Sequence, residues 1–521
     1  MRPGPLRRLS LWLAAGALCA SRIVPAGRGA EVPLFVLRAA DYAPAVAHFN
    51  AMEDENVVNL IPNAGAWAWL RANMPFFDCP DPAVREIYYF RWWSLRKHLE
   101  RLPSGYAVFT EFLTRPAPIS SALGHHLMEG RWLRDQPDWD SYVLYWLRGH
   151  GGDEQPDLHK YSQWLAYALY HRALATGDRA FPVGLLDGLI RDYGAWDAER
   201  RLPDGLYWQY DVRDAMEESI SGSRTGKNAR PTLNSYMYGN ARAIAAIARW
   251  AGRPAVAADF DRRAEALKRL AEEKLWNPQA RFFEAREEGD GLADVREEIG
   301  FIPWYFKLPG RAYDVAWAQF SDPAGFKAPF GITTAERRAP QFRSHGIGEC
   351  EWDGAVWPFA TSQTLTALAN VLEDDPQAPV SARDYFDSFL TYVRSQHYDG
   401  KPYIGEYLDE EDGYWLKGRA ERSRYYNHST FADLLITGLV GLRPRDDSTV
   451  AIRPLVPPGT WDWFCLDGVR YHGRNLTVLW DRSGRHYGRG AGLRVLCEGR
   501  TIASSPTLAP LSGQLPSRPG S

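Results

Sequence analysis

The sequence predicts a mainly α protein, a toroid of helical hairpins closed by a small antiparallel β domain near the C-terminal end. Three observations carry this reading. Helical patterns, about a dozen of them, run between residues 40 and 442, some as clear hairpin pairs such as 233–251 and 254–276 around Gly252-Arg-Pro. No regular strand–helix alternation is present, which disfavours a sheet-based α/β fold. From Val450 the texture changes to short runs that alternate apolar and polar residues, as in Arg474-Asn-Leu-Thr-Val-Leu-Trp, the pattern of antiparallel strands.

Taken in order, residues 1–30 read as a signal peptide. Arg2, Arg7 and Arg8 form a basic start, 11–20 is an apolar stretch too short to span a bilayer, and small residues follow. The barrel is expected over 31–444, the β domain over 445–505 and a disordered, Ser/Pro/Gly-rich tail over 506–521. The first helix is expected at 40–52, and Asn63-Ala-Gly breaks the pattern. Asp81 followed by Pro82 opens a long helix at 81–102, because an Asp cap and a proline in the first turn are compatible start signals. Its centre, Tyr88-Tyr-Phe-Arg-Trp-Trp, reads as buried, with Arg91 and Trp92 candidates to face a cleft. Further helices are expected at 119–129, 139–148, 159–176, 182–195, 311–320, 356–371, 381–395 and 429–442. In 254–276, Val256, Phe260, Ala264, Leu267 and Leu270 step by four and three, an amphipathic stripe.

Removing residues 1–30 deletes five arginines and no acid, so the formal charge moves from −3 to −8. An acidic chain disfavours nucleic acid as a partner, since duplex binding needs a basic face. Cys79, Cys350, Cys465 and Cys497 are too scattered for a disulfide framework, although Cys465 and Cys497 share the C-terminal region and are a candidate pair. His125-His126 does not read as a metal site, because adjacent helical residues face different ways. Neither a metal nor an organic cofactor is implied.

The chemistry concentrates in three segments. Residues 207–238 set Tyr207, Trp208 and several carboxylates before a loop with Arg224, Lys227 and Arg230, then Leu-Asn234-Ser on a helix. Aromatic faces stack on sugar rings and carboxylates handle protons and hydroxyls, so this reads as one wall of a carbohydrate cleft. Glu217 or Asp214 is expected to be half of a carboxylate pair. The second segment is 349–363, with Glu349 and Glu351 as competing acids. The third is 402–430, where Tyr403, Ile404 and Tyr407 surround Glu406 and suggest that it is buried.

These segments resemble the (α/α)6-barrel glycoside hydrolases of the family 63 and family 37 clan, the mannosylglycerate hydrolase-like domain and, in texture, family 142, which is associated with β-L-arabinofuranosidase activity. The resemblance covers roughly residues 40–505. Asp214-Ala-Met-Glu-Glu-Ser before Thr232-Leu-Asn-Ser stands where such enzymes carry the general acid. It implies Glu217 in that role, with Asp214 as runner-up. Trp352-Asp-Gly-Ala-Val-Trp-Pro is similar to a sugar-contacting motif and implies Trp352, Asp353 and Trp357. Gly405-Glu-Tyr before Asp412-Gly implies Glu406 as general base, and Tyr425-Tyr-Asn-His-Ser-Thr precedes the last helix. Tyr207, Trp208, Arg230, Asn234, Tyr407 and His428 complete the expected substrate contacts. The resemblance implies an inverting O-glycosidase acting on an oligo- or polysaccharide. Two other classes stay open. One is a polysaccharide lyase or unsaturated-uronyl hydrolase using Arg424, Tyr425, Tyr426 and His428, and the other is a non-catalytic glycan-binding protein.

Overall fold

A computed structural model of the chain describes residues 31–289, 291–345, 350–417 and 421–517. The signal-peptide reading of 1–30 and the competing acid Glu349 fall outside them.

The helix Pro82–Lys97 starts as the sequence predicts. The Asp81 carboxylate accepts from the backbone N–H groups of Ala83 at 2.9 Å and Val84 at 3.3 Å. Tyr88 to Lys97 are all buried, so this helix lies inside the ring with its aromatics packed on every side. Arg91 does not face a cleft: its guanidinium donates to Tyr392 at 3.0 Å, Gln396 at 3.1 Å and the Ser429 carbonyl at 2.8 Å. Trp92 is likewise fully buried.

From there the chain winds into an (α/α)6 toroid. Leu123–Gly130 packs on Leu165–Thr176, which packs on Pro231–Trp250, with Pro254–Lys274 backing the last of these from outside. Ile302–Tyr305 and Pro358–Asp374 continue the ring, and Ala382–Ser395 returns to Pro82–Lys97. Gly124 permits the close approach at one seam, since a Cβ there would stand 2.0 Å from the Trp164 ring.

The ring closes on a short helical segment, Ala432–Leu434, that continues as one π turn, Leu435–Leu439, and touches three of the inner helices. Its N-terminus carries unsatisfied N–H groups. The buried Glu129 carboxylate answers them, accepting from Phe431 at 3.1 Å, Ala432 at 2.8 Å and Asp433 at 2.9 Å. Arg131 pairs with Asp433 at 2.7 Å, and Trp132 donates to the same carboxylate at 2.6 Å. This clamp fixes the chain immediately after the 425–430 segment.

The β domain is antiparallel as expected, but its boundaries are wider. One strand of the five-stranded sheet comes from far upstream: Phe76–Asp78 pairs with Trp463–Tyr471, followed by Arg474–Asp481, Gly492–Cys497 and Arg500–Ser505. Leu511–Gln514, inside the expected disordered tail, pairs with Thr449–Ile452. Cys465 and Cys497 are thiols, not a disulfide, and the strand Arg474–Asp481 lies between theirs. Asn63–Asn73 is a helix where a break was expected, because Glu55 accepts from the Asn63 N–H at 2.7 Å and caps it from a distance. Residues Arg311–Gln319 form a 3-10 helix.

Glu129→Ala strips three buried N–H groups of their acceptor. It should lower stability by about 2–4 kcal/mol, read as a lower urea midpoint with unchanged slope; a parental midpoint would refute the clamp.

Candidate active site

The acidic loop is tied down from its flank. Arg230, at the mouth of the helix Pro231–Trp250, donates from Nε to Asp214 at 2.8 Å, and neither side chain has any exposed surface. Thr232 donates to the same Asp214 oxygen. Arg230 also reaches Ser219 Oγ at 3.2 Å. Within this frame Ala215 and Glu218 adopt φ of 59° and 65°, a left-handed conformation that costs non-glycine residues energy and persists only where surroundings impose it. The turn they bracket presents Glu217.

Glu217 is half-buried. Its carboxyl is pushed up to about 7, first by burial and then by the negative charge of Glu406, with Arg224 opposing. That is the environment of a carboxyl that keeps its proton near neutrality. Glu218 beside it is instead paired to Arg224 at 2.5 Å.

Glu406 is positioned by short strand-like pairing. Val356 and Leu408 exchange backbone hydrogen bonds at 3.0 Å in each direction, joining the second and third predicted segments. The Glu406 carboxylate accepts from Arg422 at 3.2 Å and Ser423 at 3.1 Å, with Lys417 Nζ at 3.7 Å. Beside it Trp352, Trp357 and Tyr407 form a pile, with ring centres 4.3 Å apart for the first pair and 4.6 Å for the second. His428 closes on the same place. Its Nε2–H donates to the Glu406 carbonyl at 3.2 Å, which leaves Nδ1 as a buried acceptor with no protein partner. Burial pushes the imidazole well below its ordinary range, so it is neutral.

A third carboxyl belongs to this place. Glu111 follows the strand Ala107–Phe109 and accepts from Tyr426 Oη at 2.5 Å and Ser121 Oγ at 3.0 Å. Burial raises it to about 7, and both Glu406 and Glu217 add to the rise. The Cys350 thiol, 3.2 Å from Lys417 Nζ, feels the same two carboxyls and is also pushed up, chiefly by burial. Loops from four parts of the chain, near 111, 217, 350 and 406, thus converge electrostatically. Among the described residues no group of three or more His, Cys, Asp or Glu side chains could hold a metal ion.

The expected contacts divide. Glu406, Tyr407, Trp357, Trp352 and His428 gather around one another, and Glu217 lies within the electrostatic reach of Glu406. Several others are corrected to framework. Asp214 and Arg230 neutralise each other out of water. Asn234 clips the backbone of Tyr207, accepting its N–H at 2.9 Å and donating to its carbonyl at 2.8 Å, while the Tyr207 hydroxyl is held by Asp197 and Tyr193. Trp208 is covered by Arg200 and Lys227, whose charges lie 4.5 and 5.3 Å from its ring. Asp353 is fully buried and accepts from the His345 N–H at 2.9 Å, pinning the loop beside Arg343. Glu351 pairs with Arg343 at 2.5 Å. Sequence reasoning missed Glu111, Cys350, Lys417 and Arg422. Glu111 did carry a signal, being the one acid within the otherwise uncharged run 107–113.

A six-hairpin toroid whose loops gather a raised carboxyl and a second, cation-held one is the architecture of a glycoside hydrolase. The comparisons agree. Residues 115–429 match the mannosylglycerate hydrolase MGH1-like glycoside hydrolase domain, and the chain belongs to that family. Residues 442–503 match the C-terminal domain of glycosyl hydrolase family 65. A solved structure described as a sialidase is 50% identical with a TM-score of 0.90 over 92% of this chain, which spans only 45% of that longer protein. The family 63 mannosylglycerate hydrolase of Thermus thermophilus, in complex with glucose, shares the fold at 14% identity, with a TM-score of 0.52 over 67% of this chain and 98% of its own. A family 78 rhamnosidase of a Bacillus species does so at 14% identity, with a TM-score of 0.56 over 78% of this chain and 40% of its own.

Arg230→Ala would strand Asp214 as an uncompensated buried charge. A loss of about 3–5 kcal/mol is expected, measured by denaturant unfolding; a variant as stable as the parent would show that the pair does not hold the loop.

Proposed function

We propose that this chain is an exported, inverting O-glycosidase in which Glu217 is the general acid and Glu406 the general base. The observation that carries this is the contrast between the two carboxyls. Glu217 is partly desolvated and raised to about 7, so it can hold a proton for the leaving oxygen. Glu406 is surrounded by Arg422, Lys417 and Ser423, the partners of a charged group that draws a proton from water. Inversion follows from the family 63 resemblance, in which the second carboxylate activates water instead of attacking the sugar.

The site favours an uncharged glycone over a uronic or sialic acid. Three carboxyls share its field, while the cations Lys417 and Arg422 are engaged by Glu406 and Arg224 by Glu218. The same facts weigh against the lyase reading. Arg424 is occupied by Glu53 at 3.2 Å and Glu421 at 2.7 Å, and Tyr426 by Glu111. The resemblance to family 142 makes a β-L-arabinofuranoside the first substrate to test, beside rhamnosides, mannosylglycerate and sialosides. Export is tested by N-terminal sequencing of the mature protein, expected to begin beyond the apolar stretch 11–20.

On the substrate that is turned over, Glu217→Gln and Glu406→Gln should each lower kcat/KM by about three orders of magnitude or more while leaving the fold intact. Proton NMR of the first-formed sugar should show the opposite anomer from the substrate. Full activity in both variants would sink the site, and a retained anomer would sink the mechanism. Because the acid must be protonated, kcat/KM should fall as pH rises through about 7, the region to which Glu217 is raised.

A further inference from the structure

The 425–428 segment is held in an unusual way. Tyr425 sits at φ 56°, with its carbonyl 2.7 Å from His98 Nε2. Asn427 donates its backbone N–H to the Glu111 carbonyl at 2.9 Å and its amide to the Thr110 carbonyl at 3.0 Å. His126 donates to the Asn427 carbonyl at 2.6 Å. The Tyr426 hydroxyl reaches back to the Glu111 carboxyl, and its ring meets His428 edge-on with centres 4.2 Å apart. His428 in turn is bonded to the Glu406 backbone. One unbroken chain of contacts thus runs from Glu111 through Tyr426 and His428 to Glu406.

The Glu111 carboxyl has no cationic partner among the described residues. Asp214 and Asp433, buried likewise, each face an arginine. Glu111 is met only by two hydroxyls and by the like charges of Glu406 and Glu217. The titratable groups around it are those two carboxyls, Tyr426, Tyr142 and Tyr161, with Arg422 already engaged by Glu406.

We propose that Glu111 is a positioning residue for the glycosidase reaction: it locks the 425–428 segment beside Glu406 through Tyr426. This rests on Glu217 and Glu406 as the acid and base.

The test compares Glu111→Gln, Glu111→Asp and Tyr426→Phe with the parent on a turned-over aryl glycoside. Glu111→Gln keeps the size and an oxygen for Tyr426 but not the charge. It should reduce kcat about ten- to a hundredfold, with KM changed much less. Glu111→Asp should bring kcat back toward the parent. Tyr426→Phe should lower kcat in the same way as Glu111→Gln, because it takes away the hydroxyl through which the segment is held. Where Glu111→Gln does not fold, Tyr426→Phe decides. A parental kcat in whichever of these folds overturns the proposal. Full turnover by Glu217→Gln overturns the acid assignment and this proposal together, whereas an inactive Glu217→Gln beside a parental Glu111→Gln overturns this one alone.

Discussion

A fully buried ion pair holds the acidic loop of this protein in place. Asp214 and Arg230 lie without exposed surface at the foot of the helix Pro231–Trp250. Ions so placed are stable only as long as each has the other, since desolvating either alone costs several kcal/mol. The loop that leaves Asp214 is therefore anchored by a contact that cannot be loosened cheaply. The two left-handed residues, Ala215 and Glu218, are tolerable because that anchor imposes them. A general acid must be held where its proton meets the leaving oxygen, and a loop free to relax would not do it. Asp214 thus braces the loop that carries Glu217.

The second constraint is like charge in a poorly solvated place. Glu217, Glu406 and Glu111 share one field, and three negative charges cannot be accommodated together there without cations. The chain supplies Arg422 and Lys417 to Glu406 and none to Glu111. That asymmetry separates one carboxylate held by cations from two carboxyls that burial pushes up to about 7. Separating acids by environment is how one site runs acid and base steps at one pH.

The fold was readable because its signals are local and repeated. Asp81-Pro82 announced a helix start, and the 256–270 stripe announced an amphipathic helix; both formed, although the first ends at Lys97 and not at 102, where the strand Leu99–Arg101 follows. Signals that depend on distant partners failed. Asn63-Ala-Gly looks like a break until Glu55 caps it, and Leu511–Gln514 looks like tail until Thr449–Ile452 offers an edge. In the site the same divide holds. The motif pointed to Glu217 and the apolar surroundings to a buried Glu406, and the latter is buried. Asn234 and Tyr207 looked equally chemical in the sequence, yet their polar atoms are spent on the framework, and Asp353 turns one oxygen to the His345 N–H. A sequence shows which groups can make hydrogen bonds, but only the fold shows which of them are left over. Glu111 is the converse case, a lone acid in an apolar run whose partners come from residues 121 and 426.

The aromatic content suggested recognition by stacking, but Trp352, Trp357 and Tyr407 stack on one another and are nearly or fully buried. Their faces are used to build a stiff wall, with Lys417 lying 5.1 Å from the Tyr407 ring centre. Among the polar atoms beside this wall, the buried Nδ1 of His428 is left without a protein partner. A site of this kind discriminates through hydroxyls. A sugar missing one leaves a buried acceptor unpaired, and that penalty far exceeds what a lost methylene costs in an apolar pocket. The rigidity of the wall and the chemistry of the carboxyls therefore act together: aromatics that pack on one another bury the groups beside them, and an unpaired polar atom in so poorly solvated a place interacts strongly with whatever meets it.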